Sequence, residues 1–374
     1  MDISVFGQTE LSRLGFGCMR LPEKNGKIDR PKAREMVEYA LANGINYIDT
    51  AYIYHNGESE EFLGQALQNF DRSSYILSDK LPLWLCHEPE DAPGIFAEQL
   101  RRLKTDYIDF YLLHSFEGKR RYDDVCRLKL VDFCHKLKSE GKIRHLGFSY
   151  HGTPEDLERN FDLYDFEFVL LQTNYLDWRV QRAAQTASGL AQKQVALFVM
   201  EPLRGGGLLD LPEAAAAILR AANPERSWTG WAFKWLAGLD PQPVTVLSGM
   251  SSLAQMQENI GIFADFDPLT EKEQQAVKKA VDQLMATPLL PCTACRYCEP
   301  CPSGVRIALN FDTYNDYIRL PDLKRLRSNY SMLGEQYQAK NCTACGQCLE
   351  KCPQNIKIDQ ELAVLENLVQ SARE

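Results

Sequence analysis

Much is missing from this 374-residue sequence. It has no surplus of positive charge: 42 Lys and Arg stand against 51 Asp and Glu, a formal net charge of −9. A chain so acidic is a poor match for nucleic acid or an anionic membrane surface, so neither is expected as a partner. No apolar run reaches the roughly 18 residues that would suggest a membrane span. No basic-plus-apolar leader opens the sequence, and a cytoplasmic location is expected. There is no solenoid repeat and no low-complexity segment. No Gly-x-Gly-x-x-Gly follows the first strand-like stretch, which counts against an open, doubly wound dinucleotide-binding sheet. Apolar material is not lacking: at 45% hydrophobic and 25% charged the chain can bury an ordinary globular core.

Cysteine is abundant, with twelve in all. Eight fall in two runs, Cys292-x-x-Cys295-x-x-Cys298-x-x-Cys301-Pro302 and Cys342-x-x-Cys345-x-x-Cys348-x-x-x-Cys352-Pro353. Three thiolates at two-residue gaps suit three irons of a [4Fe–4S] cube, with the fourth ligand coming from elsewhere. In two-cluster ferredoxins, which these runs resemble, the distant proline-followed cysteine serves the other cluster. That resemblance implies one set of Cys292, Cys295, Cys298 and Cys352, and a second of Cys342, Cys345, Cys348 and Cys301. Two structural zinc sites or four disulfides are the rival readings, and zinc sites rarely use the triple two-residue repeat. The other four, Cys18, Cys86, Cys126 and Cys134, are scattered and read as small buried hydrophobes. From Cys292 onward basic and acidic residues balance, so the negative surplus belongs to the N-terminal part.

That part shows one pattern over and over. After a short hairpin across Met1–Leu14 come strand candidates at Leu14–Cys18, Tyr47–Asp49, Tyr75–Lys80, Ile108–Leu113, Ile143–Ser149, Phe168–Gln172, Ala196–Glu201 and Val244–Ser248. Helix-period segments separate them. Asp29 stands at the N-cap of the first, with Pro31 in its first turn. Later ones run over Ile95–Leu103, Val125–Leu137, Pro154–Asn160, Arg182–Lys193 and Leu253–Phe263. Eight strand–helix pairs over about 250 residues point to an α/β fold, a (β/α)8 TIM barrel. One more helix, Glu271–Leu284, precedes the breaker Pro288-Leu289-Leu290-Pro291. The expected division is residues 1–287 for the barrel and 288–374 for a small, mainly helical ferredoxin-like domain. Its helices are expected at Val305–Tyr317, Leu323–Tyr337 and Gln360–Ala372.

Barrels of this kind carry their chemistry at the C-terminal ends of the strands. Standing there are Asp49 with Tyr54 five residues on, Lys80, His114, Ser149, Gln172, Met200 and Ser248. A buried lysine needs a partner, and Asp49 is the evident one. An ammonium near a phenol favours the phenolate, so Tyr54 is expected to titrate below its ordinary value and to pass a proton to a carbonyl oxygen that His114 orients. Tyr52 is the competitor for that role. His145, His151 and Trp178 are candidates for the substrate mouth. Arg204-Gly205-Gly206-Gly207 reads as a pyrophosphate cradle or simply a turn.

The stretch Gly44-Ile45-Asn46-Tyr47-Ile48-Asp49-Thr50-Ala51 with Tyr54, Lys80, Asp109–His114 and Gly147-Phe148-Ser149 resembles the aldo-keto reductase family over about residues 3–285. The resemblance implies a catalytic tetrad of Asp49, Tyr54, Lys80 and His114. It implies NADPH or NADH as cofactor, with contacts at Ser149, Gln172, Met200, Ser248, Gly249 and Asn259. Met200 stands where the family commonly places an aromatic ring. No Lys or Arg occurs in Ser248–Gln255, where the family holds the NADP 2′-phosphate, so the choice of nucleotide stays open. The expected activity is reduction of a small-molecule carbonyl, or oxidation of an alcohol, with electron traffic assisted by two [4Fe–4S] clusters and a redox partner protein among the candidate partners. The alternative is an electron-transfer or redox-sensing protein whose barrel is only a scaffold.

Overall fold

A computed structural model describes residues 1–371. Strands β1 (Ile3–Phe6) and β2 (Thr9–Ser12) form an antiparallel hairpin. Next come β3 (Leu14–Gly17), a two-residue pair β4 (Glu23–Lys24) and β5 (Lys27–Ile28), β6 (Tyr47–Asp49), β7 (Ile76–Pro82) and β8 (Ile108–His114). They are followed by β9 (Ile143–Tyr150), β10 (Phe168–Gln172), β11 (Ala196–Met200) and β12 (Thr245–Ser248). Strands β3 and β6 to β12 close a parallel barrel of eight, with β12 returning to β3 through Val246↔Leu14 and Ser248↔Phe16. Their sequences are nearly continuous apolar runs because a parallel strand flanked by helices is covered on both faces.

The hairpin closes one end. Phe6 from β1 meets Phe110, Phe168 and Phe198 at ring-centroid distances of 5.4, 6.2 and 5.8 Å. Tyr47 and His145 join the same aromatic cluster. His145, whose ring nitrogen also lies 2.8 Å from Glu167, therefore belongs to the floor and not to a substrate mouth.

Most helices fall where the apolar spacing puts them. In Arg30–Ala42 the buried stripe is Ala33, Met36, Val37 and Ala40. Asp29 precedes it, but its side chain makes no capping bond and faces Lys32 instead, at 3.5 Å. Thr153 and Ser252 do cap, accepting from the amides of Asp156 and Gln255. The segment expected as one helix over Val125–Leu137 is two, Gly118–Arg127 and Leu130–Ser139, broken at Lys129 with φ +53°. The first was hidden because only Val125 in it is buried. Strand β7 runs two residues past Lys80, to Pro82.

The chain packs as two compact units, Met1–Arg204 with Ser227–Thr270, and Gly205–Arg226 with the chain from Glu271 onward. The helices Glu213–Ala222 and Glu271–Met285 thus belong to the second unit, although both precede the proline-rich break at 288–291. Glu273 ties these two helices to each other: its Oε1 accepts from Asn223 at 2.8 Å and from Arg226 at 2.7 Å.

The rest of the second unit is built on helices Ile307–Arg319, Leu323–Met332 and Ile358–Gln370. Gly334 (φ +82°) ends the second of these before the expected Tyr337. Ala372, the expected end of the last, lies outside the described residues. Phe311, Leu326, Ile358, Leu362 and Leu365 form its core. Asn310, fully buried, donates to the Tyr337 carbonyl at 2.8 Å and accepts from the Ala339 amide at 2.9 Å, which ties the first helix to the segment leading into the second cysteine run.

Candidate active site

Lys80 on β7 organises the end of the barrel opposite the hairpin. It is buried, and an ammonium has three hydrogens to place. Nζ donates to Asp49 Oδ2 at 2.6 Å and to the Thr50 carbonyl at 2.6 Å, and its third neighbour is the Tyr54 hydroxyl at 3.4 Å. Ser78 donates to the other Asp49 oxygen at 2.9 Å, so the carboxylate is held on both sides. Burial lowers Lys80, but Asp49 and Tyr54 raise it more, and the net shift is upward, keeping the ammonium charged. Burial raises Asp49, and Lys80 offsets part of that rise.

Tyr54 reaches this lysine because the chain after β6 turns sharply. His55, Asn56 and Gly57 all have positive φ, of 51°, 56° and 89°. Asn tolerates that region, and Gly57 removes the Cβ penalty at the largest φ of the three. Tyr52 is accounted for elsewhere, beneath the Arg102 guanidinium at 4.4 Å.

The Tyr54 hydroxyl departs from the sequence expectation. Burial lifts it above the ordinary phenol value, and Lys80 only partly opposes that lift. The phenol is thus protonated at neutral pH, the form a proton donor needs. His114, ending β8, lies edge-on to Tyr54 at 6.3 Å. Burial, with Lys80 adding to it, holds the imidazole well below its ordinary value and therefore neutral. Its Nδ1 is buried without a hydrogen-bond partner. Asp49, Tyr54, Lys80 and His114 are together as expected.

The residues expected along the cofactor are more dispersed. Ser149 on β9 accepts from the Ser115 amide at 2.8 Å, which leaves its hydroxyl hydrogen free to donate. Gln172, at the end of the neighbouring β10, is engaged on both sides. Its Nε2 donates to Asp177 at 2.7 Å and its Oε1 lies 3.0 Å from His151. Asp177 in turn is paired with buried Arg204 at 2.8 Å, so Arg204 is a buttress of this network. Met200 ends β11 and packs against the barrel-core cluster. Ser248 and Asn259 bond to each other at 3.0 Å, fastening β12 to the helix Leu253–Phe263.

Gly249 lies beside a residue that the sequence reading passed over. A Cβ built there would stand 3.1 Å from Cδ of Arg20, whose guanidinium is 3.7 Å from Glu201. Trp84 and Arg121 were also missed. The Trp84 ring lies 4.9 Å from His114, and the Arg121 guanidinium 5.4 Å from Trp84. Position after a strand end was the only available signal for these three.

In the second unit, two hollows follow the cysteine sets. One of ≈ 410 Å³ is lined by Cys301, Cys342, Cys345 and Cys348. The other, of ≈ 340 Å³, is lined by Cys292, Cys295, Cys298 and Cys352, with Cys298 reaching the first as well. The two loops share a backbone form: Ala294 and Arg296 have φ of 53° and 61°, and Ala344 and Gly346 have 51° and 75°. Left-handed residues alternating with right-handed ones turn successive amides to one side, the nest found around phosphates and iron–sulfur groups. Among the described residues no three His, Cys, Asp or Glu side chains are placed to hold a single metal ion. Two hollows, each lined by the four thiols of one set, fit a larger sulfur-bearing group. Of the remaining cysteines, Cys18, Cys86 and Cys134 are buried as expected, and Cys126 is exposed.

Comparison with known proteins decides the family. Residues 13–282 match the model of the aldo/keto reductase family. The chain belongs to that family. This aldo/keto reductase carries a second match over residues 291–356, to the 4Fe-4S dicluster domain. It is 29% identical to the uncharacterized oxidoreductase YqkF of Bacillus subtilis, covering 73% of this chain and 94% of that one. It is 26% identical to the L-galactose dehydrogenase of Arabidopsis thaliana, over 76% of this chain and 96% of that one. Among solved structures, the holo form of an aldo-keto reductase from Bacillus halodurans superposes with a TM-score of 0.63 at 29% identity, over 75% of this chain and 96% of that one. The protein is an oxidoreductase of this family with an iron–sulfur domain. No described helix is long and apolar enough to cross a membrane.

Proposed function

We propose that the barrel reduces a small-molecule carbonyl to an alcohol, or runs the reverse reaction, with Tyr54 moving the proton. The observation that carries this reading is the Lys80 ammonium, fixed by Asp49 and Thr50 and directed at the Tyr54 hydroxyl. A nicotinamide nucleotide, when bound, supplies or accepts the hydride. Tyr54 gives its proton to the carbonyl oxygen, and the ammonium beside it stabilises the phenolate left behind. Neutral His114 donates a hydrogen bond to the same oxygen and orients it. Ser149, with a hydroxyl hydrogen to spare, and Gln172, on exchanging His151, are the groups we assign to the carboxamide of the nicotinamide.

Arg20 supports a further assignment. The expected path of the nucleotide runs from Gln172 and Met200 across the end of β12 to Asn259, and Arg20 lies against Gly249 at the middle of that path. The dinucleotide's pyrophosphate belongs there, where a guanidinium can take two oxygens at once. Since Ser248–Gln255 offers no cation to a 2′-phosphate, NADH is read as binding at least as well as NADPH.

We assign Cys292, Cys295, Cys298 and Cys352 to one [4Fe–4S] cluster, and Cys342, Cys345, Cys348 and Cys301 to the other. Bound clusters supply or accept single electrons, and a redox partner protein is their source or sink. The twelve thiols, none of them bridged, suit the reducing cytoplasm.

The test is anaerobic turnover of a carbonyl panel with NADH and NADPH by wild type and Tyr54→Phe. The substitution should lower kcat by about 10²–10⁴ while leaving nucleotide binding unchanged. A wild type that neither turns over any carbonyl nor quenches its tryptophan fluorescence with either nucleotide would defeat the proposal and favour a scaffold.

A further inference from the structure

A half-buried guanidinium ordinarily forks onto a carboxylate or onto carbonyl oxygens, because five N–H groups taken from water need acceptors. Arg121 does neither: among the described residues it makes no hydrogen bond and no ion pair. It lies early in the helix Gly118–Arg127, which follows β8 and its terminal His114. The guanidinium rests on the Trp84 indole at 5.4 Å, and the indole rests on the His114 imidazole at 4.9 Å. An unspent cation therefore stands one aromatic ring away from the imidazole assigned to the carbonyl oxygen. A ring face holds a guanidinium in place while leaving its N–H edge open, the arrangement that meets a carboxylate or phosphate with two bonds.

The neighbouring charges leave this cation available. Lys119 is held by Asp123, and Asp124 faces Arg127 at 3.1 Å. Arg120 is exposed, and the Lys80 charge is taken up by Asp49. The opposing group is Glu117, whose Oε2 is buried without a partner. Burial moves that carboxyl toward its neutral form against the pull of His151 and Arg121, and although the Arg121 charge is felt there, no hydrogen bond or ion pair joins the two side chains.

We propose that Arg121, backed by Trp84, receives an anionic group of the substrate. The barrel then takes aldehydes or ketones that carry a carboxylate or phosphate a few bonds from the carbonyl. The proposal rests on the carbonyl reading above, but it can be tested apart from turnover.

The experiment measures dissociation constants by calorimetry on the full iron–sulfur protein with matched pairs, levulinate against methyl levulinate and dihydroxyacetone phosphate against dihydroxyacetone. Wild type should bind the anion of at least one pair tenfold or more tighter than its neutral partner, and that pair names the anion. Arg121→Gln should abolish the ratio by weakening the anion alone, and Arg121→Lys should restore part of it. In turnover the same variants should move KM and leave kcat in place. A wild-type ratio near one in both pairs, no binding of any probe, or a ratio unchanged in Arg121→Gln would each overturn the proposal. A preserved ratio without turnover would sink the carbonyl reading and leave the anion subsite standing.

Discussion

Lys80→Met isolates the ion pair beneath Tyr54. The substitution removes the ammonium that donates to Asp49 and to the Thr50 carbonyl, and it leaves a buried carboxylate with only Ser78 as donor. Breaking a buried pair from one side costs about 3–5 kcal/mol, because the surviving charge has lost its compensation. At about 2–4 °C per kcal/mol for a domain of this size, the barrel transition should fall by roughly 6–20 °C. The double variant Lys80→Met/Asp49→Leu removes both charges and should recover most of the loss. It should remain below wild type by the cost of an unsatisfied Thr50 carbonyl, about 1–3 kcal/mol. Differential scanning calorimetry of wild type, both single variants and the double variant gives the full cycle. A single-variant shift under about 2 °C, or a double variant melting as low as Lys80→Met, would show that the pair is not the buried, mutually compensated unit described here.

Three further outcomes are expected. The folded chain keeps His114 neutral, whereas the unfolded chain takes up a proton below about pH 6.5, so stability should fall with falling pH in that window by up to about 1.4 kcal/mol per unit. His114→Gln should flatten that slope. It should not alter the separate loss at lower pH from Glu167, whose carboxyl is opposed by burial but held at about 2 by His145 and Lys138. Cys301→Ser and Cys345→Ser should each halve the iron content, and so should their combination, because both line one hollow. Adding Cys292→Ser to either should remove the remainder, as iron analysis would show. Arg20→Gln should weaken NADH and NADPH by a similar factor in fluorescence titrations, and a loss confined to NADPH would move Arg20 to the 2′-phosphate.

The barrel strands and the tetrad were legible because both depend on local spacing. Each strand is a short apolar run, and the tetrad residues lie at or near the strand ends. Other features depend on partners far along the chain or on weak patterning. Arg20 acquires meaning from Gly249, with which it shares no local pattern. The helix bearing Arg121 lacks an apolar stripe, so periodicity did not reveal it. The direction of the Tyr54 shift was misjudged because sequence shows the neighbouring lysine but not the depth of burial, which outweighs it. The helix Glu213–Ala222 was counted with the barrel because it lies between two barrel strands, and its pairing with the helix bearing Glu273 rests on side chains about fifty residues apart, which leaves no local pattern.

The Phe6 hairpin makes the barrel a cup and not a pipe. Aromatic rings seal the floor, and Lys80, Tyr54 and His114 gather at the other end. Every molecule that reaches Tyr54 must therefore enter and leave by one doorway. On the proposed reading a nucleotide and a carbonyl share that doorway, so the one seated deeper binds first and leaves last. Initial-rate patterns should accordingly be sequential and ordered.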